Sequence, residues 1–236
     1  MECRFPEAFK TAQVMPHLNK KPGLDRTQCS NYRPISNLPV ISKVIERLVL
    51  ARLQPHLLKS SNFARLQSAF RRGHSTESAL LRITHDIYAS ADSKHATVLV
   101  CLDISEPFDT ICHSVLIDRL HDEFGLHDSV LAWLRSYLSD RRQFVKLGSH
   151  SSSVTTCHAG VPQGSVLGPL LFAAYVSPVG ELIASFGINY HQFADDLQMY
   201  VGLVATNVAS TMSQLTACTA AVRHWFLPNG LQLNAS

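Results

Sequence analysis

The sequence predicts an α+β fold in which amphipathic helices accompany antiparallel β-hairpins. Residues 188–201 predict one hairpin, because apolar residues alternate with polar ones on both sides of Asp195 and Asp196. Residues 39–59 and 206–226 carry apolar residues at the 3.6-residue spacing of helices. These three stretches together predict a globular chain with a pair of carboxylates at the tip of a hairpin.

The composition is that of a globular chain. It has 236 residues, of which 46% are hydrophobic and 17% charged, enough for one large domain or two small lobes. Residues 1–100 hold 15 Lys/Arg and 7 Asp/Glu, whereas residues 101–236 hold 6 and 11. This asymmetry favours a phosphate-binding basic half beside a metal-binding acidic half, and ordinary surface variation is the alternative.

Cysteine usage and hydropathy restrict the setting of the protein. The six Cys show neither a Cys-x-x-Cys motif nor the Cys/His spacing of a zinc site, so we expect free thiols in a reducing compartment. We find no signal peptide at the start of the chain. The longest nearly apolar run, residues 166–179, contains glycine and prolines and is too short for a bilayer, so we expect no membrane contact.

The first third of the chain is basic and leads into a helix. Pro34 keeps Arg33 extended, and an arginine there suits bidentate phosphate contact, with a plain surface arginine as the alternative. The helix over residues 39–59 should kink or end at Pro55. Its apolar face is predicted to consist of Ile41, Val44, Ile45, Leu48, Leu53 and Leu57.

A second basic segment surrounds Gly73. Arg71 and Arg72 beside this glycine suit contact with a nucleic-acid backbone, and a solvated loop is the alternative. Ser75 or Thr76 is predicted to cap a following helix over residues 77–89.

Residues 97–102 form a continuous β-prone run, which predicts a central strand buried on both faces. The run ends at Asp103, and the mouth of a buried strand is a common place for a metal ligand. Helices over 113–123 and 128–138 are expected next. A further hairpin is predicted to join residues 143–147 to residues 154–158.

Two polar segments in the second half suggest ligand contacts. The glycines of the loop 160–165 let a backbone approach a ligand closely, and Gln163 supplies an amide there, before a long helix. At the hairpin tip, Asn-Gly or Asp-Gly would be usual, so adjacent Asp195 and Asp196 suggest a divalent cation. A solvated acidic turn is the alternative reading of this pair.

Several blocks of the sequence occur in an order that resembles a known family, and they extend over roughly residues 5 to 234. The chain resembles the reverse transcriptase domain of non-LTR (LINE-type) retrotransposons, close to the Jockey, CR1 and L2 kind. The blocks are Asn31-Tyr32-Arg33-Pro34-Ile35-Ser36, Gln67-Ser68-Ala69-Phe70-Arg71, His74-Ser75-Thr76-Glu77, Leu102-Asp103-Ile104-Ser105, Phe108-Asp109-Thr110, Ser136-Tyr137-Leu138-Ser139-Asp140-Arg141, Gly160-Val161-Pro162-Gln163-Gly164-Ser165-Val166-Leu167-Gly168-Pro169 and Phe193-Ala194-Asp195-Asp196.

The resemblance implies a right-hand polymerase fold and a cellular setting. Residues 1–95 would be fingers-like, and residues 96–236 would be palm-like and truncated at the C-terminus, with an antiparallel palm sheet backed by helices. The thumb would be absent and lie beyond Ser236, and an endonuclease domain would lie upstream. The family implies a location in the nucleus or cytoplasm.

The resemblance also implies RNA-directed DNA polymerisation by two-metal nucleotidyl transfer. Two Mg²⁺ ions, with Mn²⁺ as a substitute, would act on a DNA primer, an RNA template and deoxynucleoside triphosphates. Asp103 and Asp195 match the invariant metal ligands, and Asp196 is the auxiliary carboxylate. The backbone carbonyl of Ile104 would be a further ligand.

The remaining matched residues would contact the substrates. Phe108 would exclude a ribose 2′-hydroxyl by steric clash, while Gln163 and Gly164 would contact the templating pair and the incoming nucleotide. Arg33, with Lys20 or Lys21, would hold the triphosphate. Arg71 and Arg72 would contact nucleic acid.

Some positions depart from the family pattern. Glu106-Pro107 replaces small or basic residues, Cys112 replaces an aspartate, and the chain ends before a lysine that would donate a proton to pyrophosphate. A decayed remnant that at most binds nucleic acid is therefore the alternative function. We expect residues 1–236 alone to be a poor polymerase. An aspartic protease or glycosidase would leave the loop around Gln163 unexplained.

Overall fold

The computed structural model describes residues 4–18 and 22–234. Contacts divide the chain into two compact units, each built from two separate ranges. Unit 1 combines residues 1–56 with 108–168, and unit 2 combines residues 57–107 with 169–236. This grouping does not test the predicted division into fingers-like and palm-like regions, which stays a prediction.

The described residues form eight strands and seven α-helices, together with short 3-10 turns. In chain order these are β1 (Thr11–Leu18), β2 (Tyr32–Asn37), α1 (Val40–Lys59), α2 (Thr76–Asp92), β3 (Ala96–Leu102), α3 (His113–Asp122), α4 (Asp128–Leu138), β4 (Arg141–Leu147), β5 (His150–Ser151), β6 (Thr155–Cys157), α5 (Gly168–Val176), α6 (Pro178–Ser185), β7 (Asn189–Phe193), β8 (Asp196–Leu203) and α7 (Val208–Phe226).

Unit 1 contains a mixed sheet. β1 pairs with β2 in antiparallel fashion and with β4 in parallel fashion, and both β5 and β6 are antiparallel to β4. The predicted hairpin is confirmed at Gln143 of β4, which lies opposite Thr155 of β6, but the end of β4 pairs with β5, which occupies the predicted turn. Arg33 lies in β2 opposite His17, so its backbone is extended as the following proline predicts.

Local patterns predict most helices correctly. The structure has α3 and α4 where apolar spacing places them, with ends that agree within one residue. The cap of α2 is Ser75, whose side chain accepts a hydrogen bond from the backbone N–H of Ser78. The Ser78 hydroxyl reciprocates by accepting from the Ser75 backbone N–H, which completes a capping box.

α1 continues through Pro55 to Lys59, so of the two predicted effects of this proline the end of the helix is excluded and a kink stays a prediction. The predicted apolar face is wrong in its first half. Ile41 is 59% and Leu48 is 66% exposed, whereas Ser42 and Glu46 are fully buried. A polar contact, and not the apolar stripe, therefore orients this half of the helix.

That contact is made by the carboxylate of Glu46. Its Oε2 accepts hydrogen bonds from the backbone N–H groups of Val166 (2.7 Å) and Leu167 (3.1 Å) and from the Tyr137 hydroxyl (3.2 Å). Its Oε1 accepts from the Ser42 hydroxyl at 3.0 Å. The carboxylate thus meets its hydrogen-bonding needs inside unit 1 and ties α1 to the end of the loop 160–167.

Arg141 lies beside this network. Its guanidinium carbon is 4.2 Å from the centre of the Tyr137 ring, and its Nε donates to the Tyr137 carbonyl at 2.6 Å. Burial lowers the pKa of Arg141, while the neighbouring Tyr137 and Glu46 raise it. The buried positive and negative groups of unit 1 are therefore close enough to interact.

Unit 2 is built on a three-stranded antiparallel sheet in the order β3-β8-β7. The predicted hairpin over 188–201 is confirmed as β7 and β8, with Phe193 opposite Asp196 across a two-residue loop. The prediction that residues 97–102 form a central strand is wrong. β3 is an edge strand of this sheet, and Leu99 is 44% exposed, because an unbroken β-prone run does not reveal which strand neighbours it has.

The core of unit 2 comes mainly from α5, α6 and α7. The predicted single long helix is broken before Pro178 into α5 and α6, since proline starts a helix well but does not continue one. Gly168–Ser185 has the length and apolarity of a membrane span, yet 67% of it is buried within the protein, as in a core helix. α7 contributes the fully buried Cys218, Val222 and Phe226.

We predict that Glu46→Leu lowers the free energy of unfolding of unit 1 by about 3 kcal/mol, because it leaves two backbone donors without their acceptor and removes the negative charge that interacts with the buried Arg141. Glu46→Gln keeps one acceptor oxygen and should cost less. The measurement is urea unfolding followed by Trp133 fluorescence in a Trp225→Phe background, since the chain has two tryptophans. Equal stability of Glu46→Leu and the parent would contradict this account of the buried carboxylate.

Candidate active site

The predicted carboxylates share one end of the unit 2 sheet. β3 and β8 are antiparallel with Leu102 opposite Leu197, so Asp103 and Asp196, the next residues in each direction, lie side by side. Asp195 occupies the loop between β7 and β8, adjacent to Asp196. Strand register therefore brings Asp103 and Asp196 together although they are 93 residues apart in the sequence, and Asp195 follows in the adjacent loop.

The charges of two of these groups interact. The pKa of Asp196 is raised, first by burial and then by the negative charge of Asp103. Two carboxylates that repel each other at the end of a sheet cost folding energy, and a cation between them would remove that cost. Such a pair is typical of a cation-binding or acid–base site.

The carboxylate oxygens at this end of the sheet suit a hard cation that also binds water or phosphate oxygens. Within residues 4–18 and 22–234, no three His, Cys, Asp or Glu side chains are grouped closely enough to hold one ion. Mg²⁺ is commonly held by one or two carboxylates, with waters and substrate phosphates completing its shell. The oxygens of Asp103 and Asp196 fit that requirement, whereas a closed all-protein cage is not what this end of the sheet provides.

Asp103 is oriented by a segment near the end of the described chain. The Asn234 side-chain amide donates to Asp103 Oδ2 at 2.9 Å, and the Asn234 backbone N–H donates to the Asp103 carbonyl at 2.8 Å. The Ser105 N–H donates to the Gln232 carbonyl at 2.9 Å. Sequence reasoning did not assign this role to Asn234, since nothing local reveals a partner 131 residues away.

Ile104 lies between those two backbone hydrogen bonds, opposite Leu233. A residue in such a non-hydrogen-bonded antiparallel position turns its own N–H and C=O away from the partner strand. The carbonyl of Ile104 therefore points away from the segment 231–234. This orientation is compatible with the predicted role of that carbonyl as a ligand.

The loop that carries Asp195 has an unusual backbone. Ala194 has a φ of 56°, which lies in the left-handed region that favours glycine. Both of its backbone polar groups are hydrogen-bonded to the side chain of the fully buried Gln67. Gln67 belongs to one of the family-like blocks, but its contact with Ala194 was not predicted.

The residues predicted to contact the nucleotide belong to unit 1. The carbonyl of Phe108 accepts a hydrogen bond from Val161 N–H at 2.7 Å, and the carbonyl of Gln163 accepts one from Ser36 N–H at 2.9 Å. These bonds bring Phe108 and the segment containing Arg33 to the loop 160–165. Arg33 itself is exposed on β2.

Gln163 and Gly164 have features that are uncommon in a purely structural loop. The buried side-chain oxygen of Gln163 has no hydrogen-bond partner in the described part of the chain. A buried acceptor of this kind is costly unless a ligand or water supplies the donor. Gly164 has a φ of 102°, and a Cβ there would lie 3.0 Å from the Ser36 carbonyl oxygen, so glycine is required.

The predicted basic contacts have different positions. Lys20 and Lys21 lie outside the described residues. Arg71 Nη1 donates to the carbonyls of Gln67 (2.9 Å) and Arg65 (3.3 Å), so its guanidinium stabilises the segment 65–71. Arg72 is exposed. Contact of either arginine with nucleic acid stays a prediction.

Sequence comparison identifies the family. Residues 18–236 match the family model described as reverse transcriptase (RNA-dependent DNA polymerase). The chain is 32% identical over 94% of its length to a probable RNA-directed DNA polymerase from transposon BS of Drosophila melanogaster, covering 25% of that protein. It is 33% identical over 73% of its length to the RNA-directed DNA polymerase from mobile element jockey of the same organism, covering 18%. The chain thus spans a quarter or less of these relatives.

Structural comparison agrees on the fold. Apo telomerase from Candida tropicalis, truncated from its C-terminal domain, superimposes with a TM-score of 0.67 at 14% identity, covering 97% of this chain and 49% of that one. The helices, the mixed sheet of unit 1 and the antiparallel sheet of unit 2 therefore form the fold that telomerase also has. The chain belongs to the reverse transcriptase family and is a reverse transcriptase domain of the non-LTR retrotransposon type.

Proposed function

We propose that this domain catalyses RNA-directed DNA synthesis, in which the 3′-hydroxyl of a DNA primer on an RNA template attacks a deoxynucleoside triphosphate and releases pyrophosphate. The observation that carries the proposal is the register of β3 and β8, which sets Asp103 beside Asp196 next to the loop of Asp195. The relatives named as RNA-directed DNA polymerases support the same reaction.

In right-hand terms, we assign residues 1–95 to a fingers-like region and residues 96–236 to a palm-like region. The sheet β3-β8-β7 would be the palm sheet, because the candidate carboxylates lie at its end.

Asp103, Asp195 and Asp196, with the carbonyl of Ile104, would hold two Mg²⁺ ions. Bound ions of this kind neutralise charge on the attacking 3′-oxygen and on the triphosphate. The chain itself supplies orientation: the Asn234 amide engages Asp103 Oδ2, which sets the plane of that carboxylate. An amide holds the group without cancelling its charge, so the carboxylate keeps its attraction for a cation.

Residues of unit 1 would bind the incoming nucleotide. The partnerless buried oxygen of Gln163 supports a role in accepting a hydrogen bond from a ligand, and the close approach at Gly164 supports a tightly shaped loop. Phe108 would exclude a ribose 2′-hydroxyl, and Arg33, with Lys20 or Lys21, would contact the triphosphate. Arg72 and Arg71 would contact the nucleic-acid backbone.

One observation favours the second candidate function, nucleic-acid binding by a domain that has lost catalysis. Glu106 has a φ of 45° and directly precedes Pro107, so a strained residue with a negative charge lies three positions from Asp103. A displaced backbone at this point would impair the positioning of the incoming nucleotide without weakening the binding of nucleic-acid phosphates.

Removal of one carboxylate tests the first function. Asp103→Asn or Asp195→Asn should reduce Mg²⁺-dependent primer extension on an RNA template by about a thousandfold, because each removes charge needed in the transition state. The assay uses the domain within its full-length polypeptide, and Asp92→Asn is the control, since Asp92 is exposed at the end of α2. Salt-sensitive binding of primer–template without any extension would instead support the second function.

Substitution of Phe108 tests sugar selection. Phe108→Val should raise ribonucleotide incorporation relative to deoxyribonucleotide incorporation by about tenfold or more, because a smaller side chain relieves the clash with a 2′-hydroxyl. The measurement is kcat/KM for each nucleotide type, with Phe186→Val, a half-buried phenylalanine in unit 2, as the control. Unchanged discrimination would remove Phe108 from this role.

Charge crowding at the carboxylates predicts a pH effect on stability. Burial and the charge of Asp103 hold the pKa of Asp196 in the folded protein above its ordinary value, so its ionisation opposes folding as pH rises through the folded pKa. At neutral pH without metal, Asp196→Asn should raise the free energy of unfolding by up to about 0.5 kcal/mol, given the solvent screening of an exposed group.

The same difference should vanish in acid, where Asp196 is protonated in the wild type. Thermal unfolding of both proteins at neutral and acidic pH measures it. Mg²⁺ should then stabilise the wild type more than Asp196→Asn. A metal-free variant that is less stable than the wild type at neutral pH would contradict the repulsion between Asp103 and Asp196.

A further inference from the structure

The side chain of Gln67 forms a two-point contact with the backbone of Ala194. Gln67 Nε2 donates to the Ala194 carbonyl at 3.2 Å, and Ala194 N–H donates to Gln67 Oε1 at 3.0 Å. Both residues belong to unit 2, and Gln67 is fully buried. The side-chain amide thus pairs with a single residue as a neighbouring strand would.

Ala194 needs such a partner because its backbone is strained. A non-glycine residue in the left-handed region costs on the order of 1–2 kcal/mol and persists only where the surroundings impose it. In a two-residue hairpin loop, a first residue with positive φ is normally glycine, asparagine or aspartate. Here that position is alanine with a φ of 56°, directly before Asp195.

Gln67 is itself held firmly on its own side. Gln192 N–H donates to the Leu66 carbonyl and Ser68 N–H donates to the Gln192 carbonyl, both at 3.0 Å, so the segment 66–68 is bonded to β7. Gln67 Oε1 also accepts from Ala69 N–H at 3.1 Å. Both polar atoms of the side chain are therefore engaged, which leaves Gln67 in one defined orientation.

The contact fixes both peptide planes at Ala194. Its N–H belongs to the peptide that joins it to Phe193, and its C=O belongs to the peptide that joins it to Asp195. Holding both groups sets φ and ψ of Ala194, and these two angles set the direction in which the chain delivers Asp195. These bonds from Gln67 end on the backbone of Ala194, so through them Gln67 acts on the carboxylate of Asp195 by way of the backbone.

We propose that Gln67 is a positioning residue that fixes the direction of Asp195 and so determines the affinity of the carboxylate site for divalent cations. The proposal rests on the proposed function in that Asp195 is taken as a ligand. The buried amide of Gln67 stabilises the positive φ of Ala194. Without this amide, we expect Ala194 to relax to a backbone conformation with negative φ.

The test compares Mn²⁺ binding in variants of the full-length polypeptide by electron paramagnetic resonance. Gln67→Met keeps the size of the side chain but removes its hydrogen bonds, and it should weaken Mn²⁺ binding about tenfold, the scale of a supporting residue around a metal. Ser68→Ala is the matched control, because it removes the contact between the Ser68 hydroxyl and His191 Nε2 (2.8 Å) in the same segment. Its Mn²⁺ affinity should equal that of the wild type.

A second substitution separates positioning from packing. Ala194→Gly makes the positive φ acceptable without help, so the double variant Gln67→Met/Ala194→Gly should recover part of the lost Mn²⁺ affinity. A purely packing role for Gln67 would give lower stability, unchanged Mn²⁺ affinity and no recovery with glycine. That combination would overturn the proposal.

Hydrogen exchange at the Ala194 amide, followed by NMR, tests the positioning role of Gln67 separately from the proposed metal-binding function of the carboxylates. Gln67→Met should speed exchange at Ala194 more than at Gln192, whose N–H is bonded to the Leu66 carbonyl. If Asp195→Asn binds Mn²⁺ as tightly as the wild type, the proposed role of Asp195 as a metal ligand fails. The exchange data would still show whether Gln67 fixes the conformation of the loop. Unchanged exchange at Ala194 in Gln67→Met would overturn the positioning role itself.

Discussion

The antiparallel register of β3 with β8 is the constraint on which the candidate site depends. It places Leu102 opposite Leu197, and the residue following β3 therefore meets the first residue of β8. Because side chains alternate between the two faces of a sheet, a shift of one residue would send Asp103 and Asp196 to opposite faces. The buried Leu197 and Met199 of β8 maintain this register through their packing.

Two neutral side-chain amides contribute to the geometry at the acidic end of this sheet. Asn234 binds the side chain and the backbone of Asp103, and Gln67 binds both backbone groups of Ala194 beside Asp195. A lysine or arginine in either place would lower the carboxylate pKa and compete with a divalent ion. Amides orient a carboxylate without neutralising its charge, which is compatible with the proposed binding of divalent cations.

In unit 1, by contrast, the carboxylate of Glu46 is fully buried. Two backbone N–H groups, two hydroxyls and the nearby Arg141 stabilise it, so its burial is compatible with folding. The same contacts anchor the end of the loop that presents Gln163 and Gly164. The buried charge of Glu46 therefore supports the fold of unit 1, whereas the exposed pair Asp103 and Asp196 in unit 2 is the proposed metal site.

The sequence by itself determined the elements whose signals are local and the family to which the chain belongs. Helices α2, α3 and α4 and the hairpin of β7 and β8 follow from apolar spacing and from a capping serine, which act over one or two turns of chain. The ordered blocks around Asp103, Gln163 and Asp195 identified a reverse transcriptase domain, a conclusion that the comparisons confirm.

Only the tertiary structure decided which face of α1 is buried, that β3 lies at an edge, and which amides support the carboxylates. In α1, Glu46 finds partners about 90 and 120 residues away, and these contacts override the apolar stripe containing Ile41 and Leu48. Gln67 and Ala194 are 127 residues apart, and nothing in the sequence distinguishes them from other pairs at that separation that make no contact. Local spacing reports the shape of a segment, whereas the identity of its distant neighbours depends on the path of the whole chain.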